Sequence, residues 1–373
     1  MIYLDYSATT PVDDRVLETF TKVSKDFIGN PNSLHKLGVK SKEIIDESTK
    51  QIKKLLHAEE FEVIYTSGSS ESNNLAIKGI CENYANRGKH IITTNLEHSS
   101  IYGPIGYLTN KGFKVDFVNL DEKGRVDIEH LKSLITDDTI LVSISAVNSE
   151  IGIRQDIEGI AKLLKEYPKC FFHVDATQCI GKDIIDLSDV DLVSFTAHKF
   201  YGIKGIAALL IKKNVQVVPL IHGGKSTTKY RSGTPTVALI ASLAKALRLA
   251  LEDIKEKKEK VQEKNEELVK FLQDFEDVSI NHNEFCLPHM LNISLKNIKP
   301  ETFQHAMEEY DIYLSTQSAC SSGGPSGAVY AFTQDEEKAK SSVRISLSYL
   351  TTEEELEKFK EAFKEIHHHL KMK

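Results

Sequence analysis

The sequence contains no apolar stretch near the roughly 20 residues that a membrane-spanning helix requires. It also lacks a long basic run and carries a formal net charge of −7, which argues against direct nucleic-acid binding. No basic segment followed by an apolar one opens the chain, so no signal peptide is expected. These absences predict a cytoplasmic protein that contacts neither a membrane nor a nucleic acid.

Cysteine is scarce, and its spacing excludes two kinds of site. The five cysteines form no C-x-x-C pair, so neither a zinc site, nor any other metal site, nor a disulfide framework is expected. Cys320 lies among small polar residues, whereas a buried structural cysteine normally has apolar neighbours. The composition therefore predicts an exposed, reactive thiol at Cys320 and inert cysteines elsewhere.

Strand and helix patterns alternate from about residue 62 to residue 211, which predicts an α/β domain with a largely parallel sheet. The composition changes after about Ala241, where a single long helical pattern continues to Phe275. Smaller α+β elements follow. The histidine triplet at residues 367–369 falls at the end of a charged helical pattern and is expected to be a solvated helix end. The predicted domains are a large one (14–255) with a mostly parallel seven-stranded sheet and a smaller α+β one (1–13 and 256–373).

Two polar residues end neighbouring apolar runs of the predicted sheet. Asp175 ends one run and Lys199 follows the next, so two parallel strands would bring a carboxylate and an amine to one edge. Pyridoxal phosphate requires such a pair, a lysine for a Schiff base and an acid beside its pyridine nitrogen. A surface lysine and a helix-capping aspartate are the plainer alternative.

Three further segments carry polar groups that could bind a ligand. Ser69 and Ser70 follow a strand and open a helix, which is suitable for a phosphate or for an ordinary helix cap. His98 lies after a strand and could stack on a planar ring, or be structural. Arg344 interrupts an apolar strand and could bind a substrate carboxylate, or form a surface ion pair.

Taken together, these segments resemble the cysteine desulfurases, pyridoxal-phosphate enzymes of the class V aminotransferase group with fold type I. The resemblance covers nearly the whole chain in order. Its motifs are Tyr3-Leu4-Asp5-Tyr6-Ser7-Ala8-Thr9-Thr10-Pro11, Gly29-Asn30-Pro31-Asn32-Ser33-Leu34-His35, Thr66-Ser67-Gly68, Glu97-His98, Glu150-Ile151-Gly152, His173-Val174-Asp175-Ala176, Ala197-His198-Lys199, Arg231-Ser232-Gly233-Thr234 and Ser318-Ala319-Cys320. The cysteine segment favours the iron–sulfur-cluster and thiolation type.

The resemblance also implies a role for each candidate residue. Lys199 would hold the cofactor and move the substrate Cα proton, while Cys320 would accept the substrate sulfur as a persulfide. Residues implied to bind the cofactor's ring are Asp175 at the pyridine nitrogen, His98 against its face and Gln178 at its phenolic oxygen. Residues implied to bind its phosphate are Ser69, Ser70, Thr196, His198 and, from the second subunit of a homodimer, Thr234. Arg344 would bind the substrate carboxylate, with Asn32 nearby.

The sequence departs from the family pattern at a few positions. Relatives usually carry two asparagines before Glu-Ile-Gly, whereas this chain has Asn148 and then Ser149, so the cofactor contact would come from either residue. The segment after Cys320 also differs from the usual one. These changes leave the sulfur acceptor open between a cluster scaffold and a tRNA-thiolation enzyme.

The resemblance implies conversion of L-cysteine to L-alanine, and two alternatives stand beside it. One is another class V enzyme, such as a selenocysteine lyase or a small amino-acid transaminase. The other is a non-catalytic accessory protein with the same fold. The joint presence of Lys199, Asp175, Arg344 and Cys320 argues against the second, because a binding protein needs no nucleophile.

Overall fold

The computed structural model describes residues 1–224, 226–316 and 324–371 of the chain. Its strands are β1 (Ile2–Tyr3), β2 (Phe61–Thr66), β3 (His90–Thr93), β4 (Lys114–Phe117), β5 (Thr139–Ser145), β6 (Phe171–Asp175), β7 (Leu192–Thr196), β8 (Ala207–Lys212), β9 (Val278–Ile280), β10 (Met290–Leu295), β11 (Ile312–Tyr313) and β12 (Ser342–Ser346). Its helices are α1 (Asp14–Asp26), α2 (Lys36–Leu55), α3 (Ser69–Asn83), α4 (Ser99–Thr109), α5 (Ile128–Leu134), α6 (Ile157–Leu164), α7 (Val237–Leu251), α8 (Ile254–Leu272), α9 (Pro300–Glu308), α10 (Gly327–Thr333), α11 (Glu336–Lys340) and α12 (Glu353–Lys371).

The central sheet has seven strands in the order β2-β8-β7-β6-β5-β3-β4. Strand β8 runs antiparallel to β2 and β7, and the other neighbouring strands are parallel. Strand β5 is buried at every position, as expected for a parallel strand whose two faces are both covered by helices. The predicted mostly parallel seven-stranded sheet is therefore confirmed.

Alternate residues of the sheet strands enter two different cores. In β8, Ala208 and Leu210 join the core that contains α1, α2 and α7, while Leu209 and Ile211 join the core that contains α3 and α4. This alternation follows from the two-residue period of a strand. Helices on both faces leave the carboxyl ends of the strands as the edge where polar residues can meet.

A smaller sheet, in the order β12-β10-β9, packs against α8, α9 and α12 around a separate core. The N-terminal segment belongs to this core as well, because β1 pairs with β11 and Leu4 is fully buried. The Ser346 N–H of β12 donates to the Leu4 carbonyl at 2.7 Å. The domain boundaries at residues 14–255, 1–13 and 256–373 stay a prediction.

The prediction of a single long helix between Ala241 and Phe275 is wrong, because two helices, α7 and α8, occupy this region. Asp253, between the two helices, has a left-handed backbone with φ 53°. Lys257 donates to the carbonyls of Leu249 and Glu252, both at 2.6 Å, and so satisfies the end of α7. No proline or glycine lies between the two helices, and the helical pattern continues from one to the other, so no local signal predicts the break.

The helix end at residues 367–369 also differs from the expected solvated one. His367 is buried, its Nε2 lies 3.0 Å from Asp277 Oδ2, and its ring stacks on Phe363 at a centroid distance of 5.7 Å. His368 is exposed, as the sequence predicted. The first histidine of the triplet therefore fixes α12 to the start of β9.

Among the helices within the described ranges, none is long and apolar enough to cross a membrane.

We expect His367→Ala to lower the free energy of unfolding by about 2 kcal/mol, because it removes a buried ring and a partner of Asp277. Thermal or denaturant unfolding would measure the change. His368→Ala, one residue along the same helix, is the matched control and should leave stability unchanged. Equal effects of the two substitutions would contradict the assigned role of His367.

Candidate active site

A cavity of about 270 Å³ lies at the carboxyl ends of β6 and β7, where ligands bind in open α/β sheets. The residues that line it come from the sheet edge, the start of α3, the N-terminal segment and β12. They are Ser7, Ala8, Gly68, Ser69, Ser70, Leu96, His98, Ser100, Ser145, Val147, Ser149, Asp175, Thr177, Gln178, Thr196, His198, Lys199 and Arg344. Ten of the residues predicted from the sequence are in this set.

Lys199 and Asp175 do meet in this cavity. Lys199 ends a short 3-10 turn directly after β7, and its amine donates to the carbonyls of Ser7 at 2.6 Å and Ala8 at 2.8 Å. Asp175 ends β6 and is buried. Its carboxylate accepts from Asn73 Nδ2 at 2.7 Å and from the Thr177 N–H at 3.0 Å. Both groups are thus held at defined positions on the same edge.

The N-terminal segment holds the turn that carries Lys199. Thr10 donates to the His198 carbonyl through its N–H at 2.9 Å and through its hydroxyl at 3.0 Å. His198 Nδ1 lies 3.1 Å from the Thr9 hydroxyl. Burial, and then the positive charge of Lys199, lowers the pKa of His198 to about 4, so this ring is neutral near pH 7.

The start of α3 forms the part of the cavity suited to an anion. Gly68 precedes the helix, and no side chain of the described residues caps this start. A Cβ atom at Gly68 would meet no atom within 4 Å, so the space beside the first N–H groups is open. The Ser69 hydroxyl is 2.7 Å from that of Thr177, and Thr196 donates to the Ile206 carbonyl at 3.2 Å.

His98 caps α4 and presents its ring to the cavity. The Ser100 N–H donates to His98 Nδ1 at 3.1 Å, which places the proton of the neutral ring on Nε2. Burial lowers the pKa of His98, so the neutral ring is favoured. The preceding Glu97 is buried, and burial raises its pKa to about 7. It accepts from the Ser145 N–H at 2.9 Å and so fixes this loop to β5.

Arg344 lies on β12 and is 1% exposed. Its Nη2 donates to Asp5 at 2.7 Å and its Nη1 donates to the Ser149 carbonyl at 2.8 Å. Its Nε has no partner among the described residues. The guanidinium therefore lines the cavity as a fixed cation, with bonding capacity left for a further acceptor.

Three predicted residues lie outside the cavity of this single chain, and a fourth is not described. Asn148 donates to the Leu96 carbonyl at 2.8 Å and accepts from two backbone N–H groups, so it shapes a turn instead, while Ser149 lines the cavity. Asn32 and Thr234 each line a different cavity that shares no residue with this one. Cys320 lies outside the described residues. The roles assigned to these residues stay predictions.

The prediction from the sequence missed several residues that hold the predicted site residues in place. Asn73 donates to both Asp175 and the Ser100 hydroxyl, the latter at 2.9 Å. A buried asparagine four residues after Ser69, on the same face of α3, was the available signal. The backbone carbonyls of Ser7 and Ala8 gave none, because any residue carries one. Lys182, which bonds Gln178, was also missed.

Comparisons with known proteins place this arrangement in a family. The model of the aminotransferase class-V family matches residues 2–359. The chain belongs to the cysteine desulfurases of the class V aminotransferase family. It is 42% identical to the NifS/IcsS protein homolog of Lactobacillus delbrueckii subsp. bulgaricus, over 99% of this chain and 98% of that protein. It is 37% identical to the cysteine desulfurase IscS of Dictyoglomus turgidum, over 95% of this chain and 91% of that protein.

A solved structure called NifS-like protein has a TM-score of 0.92 at 36% identity, with 100% of both chains covered. The predicted family and its fold type I are thereby confirmed, as is the dependence on pyridoxal phosphate that the family carries. The cavity suits this cofactor. It combines an amine at Lys199, a buried carboxylate at Asp175 and an open helix start at Ser69 for a phosphate.

Proposed function

We propose that this chain removes the sulfur of L-cysteine, releases L-alanine and holds the sulfur as a persulfide on Cys320. In this reaction the carbon–sulfur bond of the substrate and the sulfur–hydrogen bond of the Cys320 thiol break. A sulfur–sulfur bond forms at Cys320, and a carbon–hydrogen bond forms at the carbon that lost its sulfur, so a thiol and L-cysteine become a persulfide and L-alanine. The observation that carries the proposal is the joint position of Lys199, Asp175 and Arg344 in one cavity of a class V chain. Bound pyridoxal phosphate supplies an electron sink for the bonds of the substrate Cα.

Each residue of the cavity has a role in the proposed reaction that follows from its chemistry. Asp175 is buried and fixed by two donors, so it suits a cationic ring nitrogen. Lys199 holds the cofactor and carries the Cα proton, since its amine lies at the same sheet edge. His98 offers the face of a neutral ring, and the start of α3 with Ser69 and Ser70 binds the phosphate.

Arg344 selects a substrate with a carboxylate. Its guanidinium is buried and already oriented by Asp5 and the Ser149 carbonyl, so little ordering is needed when an anion binds. An amino acid bound through its carboxylate would place its Cα inside the cavity. This contact supports a small amino acid as the substrate class.

Incubation of the holoenzyme with L-cysteine tests the proposal. We expect alanine to accumulate and the peptide that contains Cys320 to gain the mass of one sulfur atom. A keto acid without a persulfide would instead indicate a transaminase. Absence of both products from an enzyme with bound cofactor would contradict catalysis altogether.

We expect Arg344→Lys to raise KM for L-cysteine about tenfold or more, because lysine cannot reproduce the planar fork that bonds two partners and a carboxylate. Steady-state alanine release would measure it, with cofactor absorbance recorded to show that the cofactor still binds. Arg15→Lys makes the same change at an exposed arginine and is the control. An unchanged KM in Arg344→Lys would contradict the carboxylate assignment.

The acceptor that receives the sulfur is the finer part of the proposal. A protein such as a cluster scaffold or a tRNA-thiolation enzyme fits a persulfide donor, because a persulfide passes its outer sulfur to another thiol. A homodimer in which Thr234 reaches the cofactor of the partner, and a cytoplasmic location, stay predictions. Cross-linking between the subunits of a dimer at the Thr234 loop would test the shared site.

A further inference from the structure

Lys182 is a buried amine that the reaction proposed above does not use. It lies four residues after Gln178, beyond the end of β6, and is 7% exposed. Its Nζ donates to Gln178 Oε1 at 2.6 Å. Lysine is almost never so buried without an ionic partner, and here the amine donates to a neutral amide.

The charges around Lys182 do not explain its burial. Burial is the largest influence on its pKa, which falls to about 7, and the positive charges of Lys199 and Arg344 lower it further. His289, on the segment before β10, is also buried and has its own pKa lowered to about 3, so its ring is neutral near pH 7 and cannot pair with the amine as an ion. Cys179 acts in the opposite direction and raises the pKa of Lys182, but its influence is the smallest of these. An amine kept at this cost is a candidate functional group.

Gln178 shows what the amine does. Its Oε1 is occupied by Lys182, so its Nε2 faces the other way and donates to the Ser7 carbonyl at 2.9 Å. An amide nitrogen carries two hydrogens, and Gln178 lines the cavity, so a second donor remains for a ligand. Without Lys182, the amide could turn over and present its oxygen to the cavity.

We propose that Lys182 is a positioning residue that fixes the Gln178 amide so that its N–H group, and not its oxygen, faces the phenolic oxygen of the cofactor. This inference rests on the cofactor site described above. A fixed donor favours the ionised form of that oxygen, whereas an amide oxygen would repel it. The Ser7 carbonyl accepts from both Gln178 and Lys199, so the three side chains form one connected network.

The pH titration of the absorbance of bound cofactor tests this role. We expect Lys182→Met to raise the midpoint pH by about one unit, because the oxygen loses an oriented donor. Lys182→Arg keeps a donor, so its midpoint should lie close to that of the wild-type protein. Lys165→Met removes an exposed lysine, which is paired with Asp189 on the surface, and should leave the midpoint unchanged. An unchanged midpoint in Lys182→Met would overturn the proposal.

A double-mutant cycle separates positioning from a direct effect of charge. We expect Gln178→Leu to raise the midpoint as well, and the Lys182→Met, Gln178→Leu double variant to match Gln178→Leu alone. Additive shifts would mean that Lys182 acts by its charge and not through the amide, which overturns the proposal.

One further variant does not depend on the folding of Lys182→Met. Gln178→Glu offers only acceptors to the cavity, and we expect its midpoint to exceed that of Gln178→Leu. A midpoint at or below that of Gln178→Leu overturns the proposal. A wild-type protein that gives no cofactor absorbance would instead refute the cofactor site, so the two failures are distinguishable.

Discussion

Lys199→Ala is expected to lower alanine release from L-cysteine by at least about 10³-fold, because it removes the group that is proposed to carry the Cα proton. It also removes the amine that the Ser7 and Ala8 carbonyls hold at the sheet edge. The cofactor would lose its covalent attachment, so its absorbance should change even where it still binds. Alanine assays and spectra of the purified variant would measure both effects.

Two comparisons make the Lys199 result specific. Lys165→Ala removes an exposed lysine and should retain wild-type activity and absorbance. An added small primary amine should restore part of the activity of Lys199→Ala, because the missing group is an amine. Wild-type activity in Lys199→Ala would show that the assignment is wrong.

Cys320→Ala is expected to abolish persulfide formation and sulfur transfer while the cofactor absorbance is retained. The reason is that in the proposed reaction the Cys320 thiolate attacks the substrate sulfur, whereas the groups implied to hold the cofactor lie elsewhere in the chain. Mass analysis of the variant after incubation with L-cysteine, together with a sulfide assay without reductant, would measure the change.

Cys286→Ala is the matched control for this thiol. Cys286 is buried, and burial raises the pKa of its thiol to about 12, so it carries little thiolate near neutral pH. Cys170 and Cys179 are also buried, and burial raises the pKa of each thiol to about 12. Sulfide release at the wild-type rate from Cys320→Ala would refute the role of Cys320.

The part of the site that the sequence predicted follows from position along strands. Asp175 and Lys199 come at the ends of neighbouring parallel strands, so the rule that such ends meet at one edge was sufficient to bring them together. Ser69 and Ser70 were predictable for the same reason, since they open the helix that follows β2. Arg344 was recognisable as a lone cation in an apolar strand, and burial confirms that it is enclosed.

Other features could not be predicted from the sequence, because they depend on contacts between residues that are far apart in the chain. The break between α7 and α8 lies in a continuous helical pattern, and His367 is buried although the two other histidines of the triplet are exposed. Asn148 is adjacent in sequence to a residue that lines the cavity, yet its own amide shapes a turn. In each case the local structure depends on which residues, distant in the sequence, pack against the segment.

The sequence by itself determined the alternation of strands and helices, the edge at which ligands bind and the residues that supply reactive groups there. These depend on periodicity and on residue type, which are local. The tertiary structure alone decided how those groups are held: Asn73 on Asp175, the Ser7 and Ala8 carbonyls on Lys199, and Lys182 on Gln178. Hydrogen bonds between residues far apart in the chain need a relative position of the elements, and only packing sets that position.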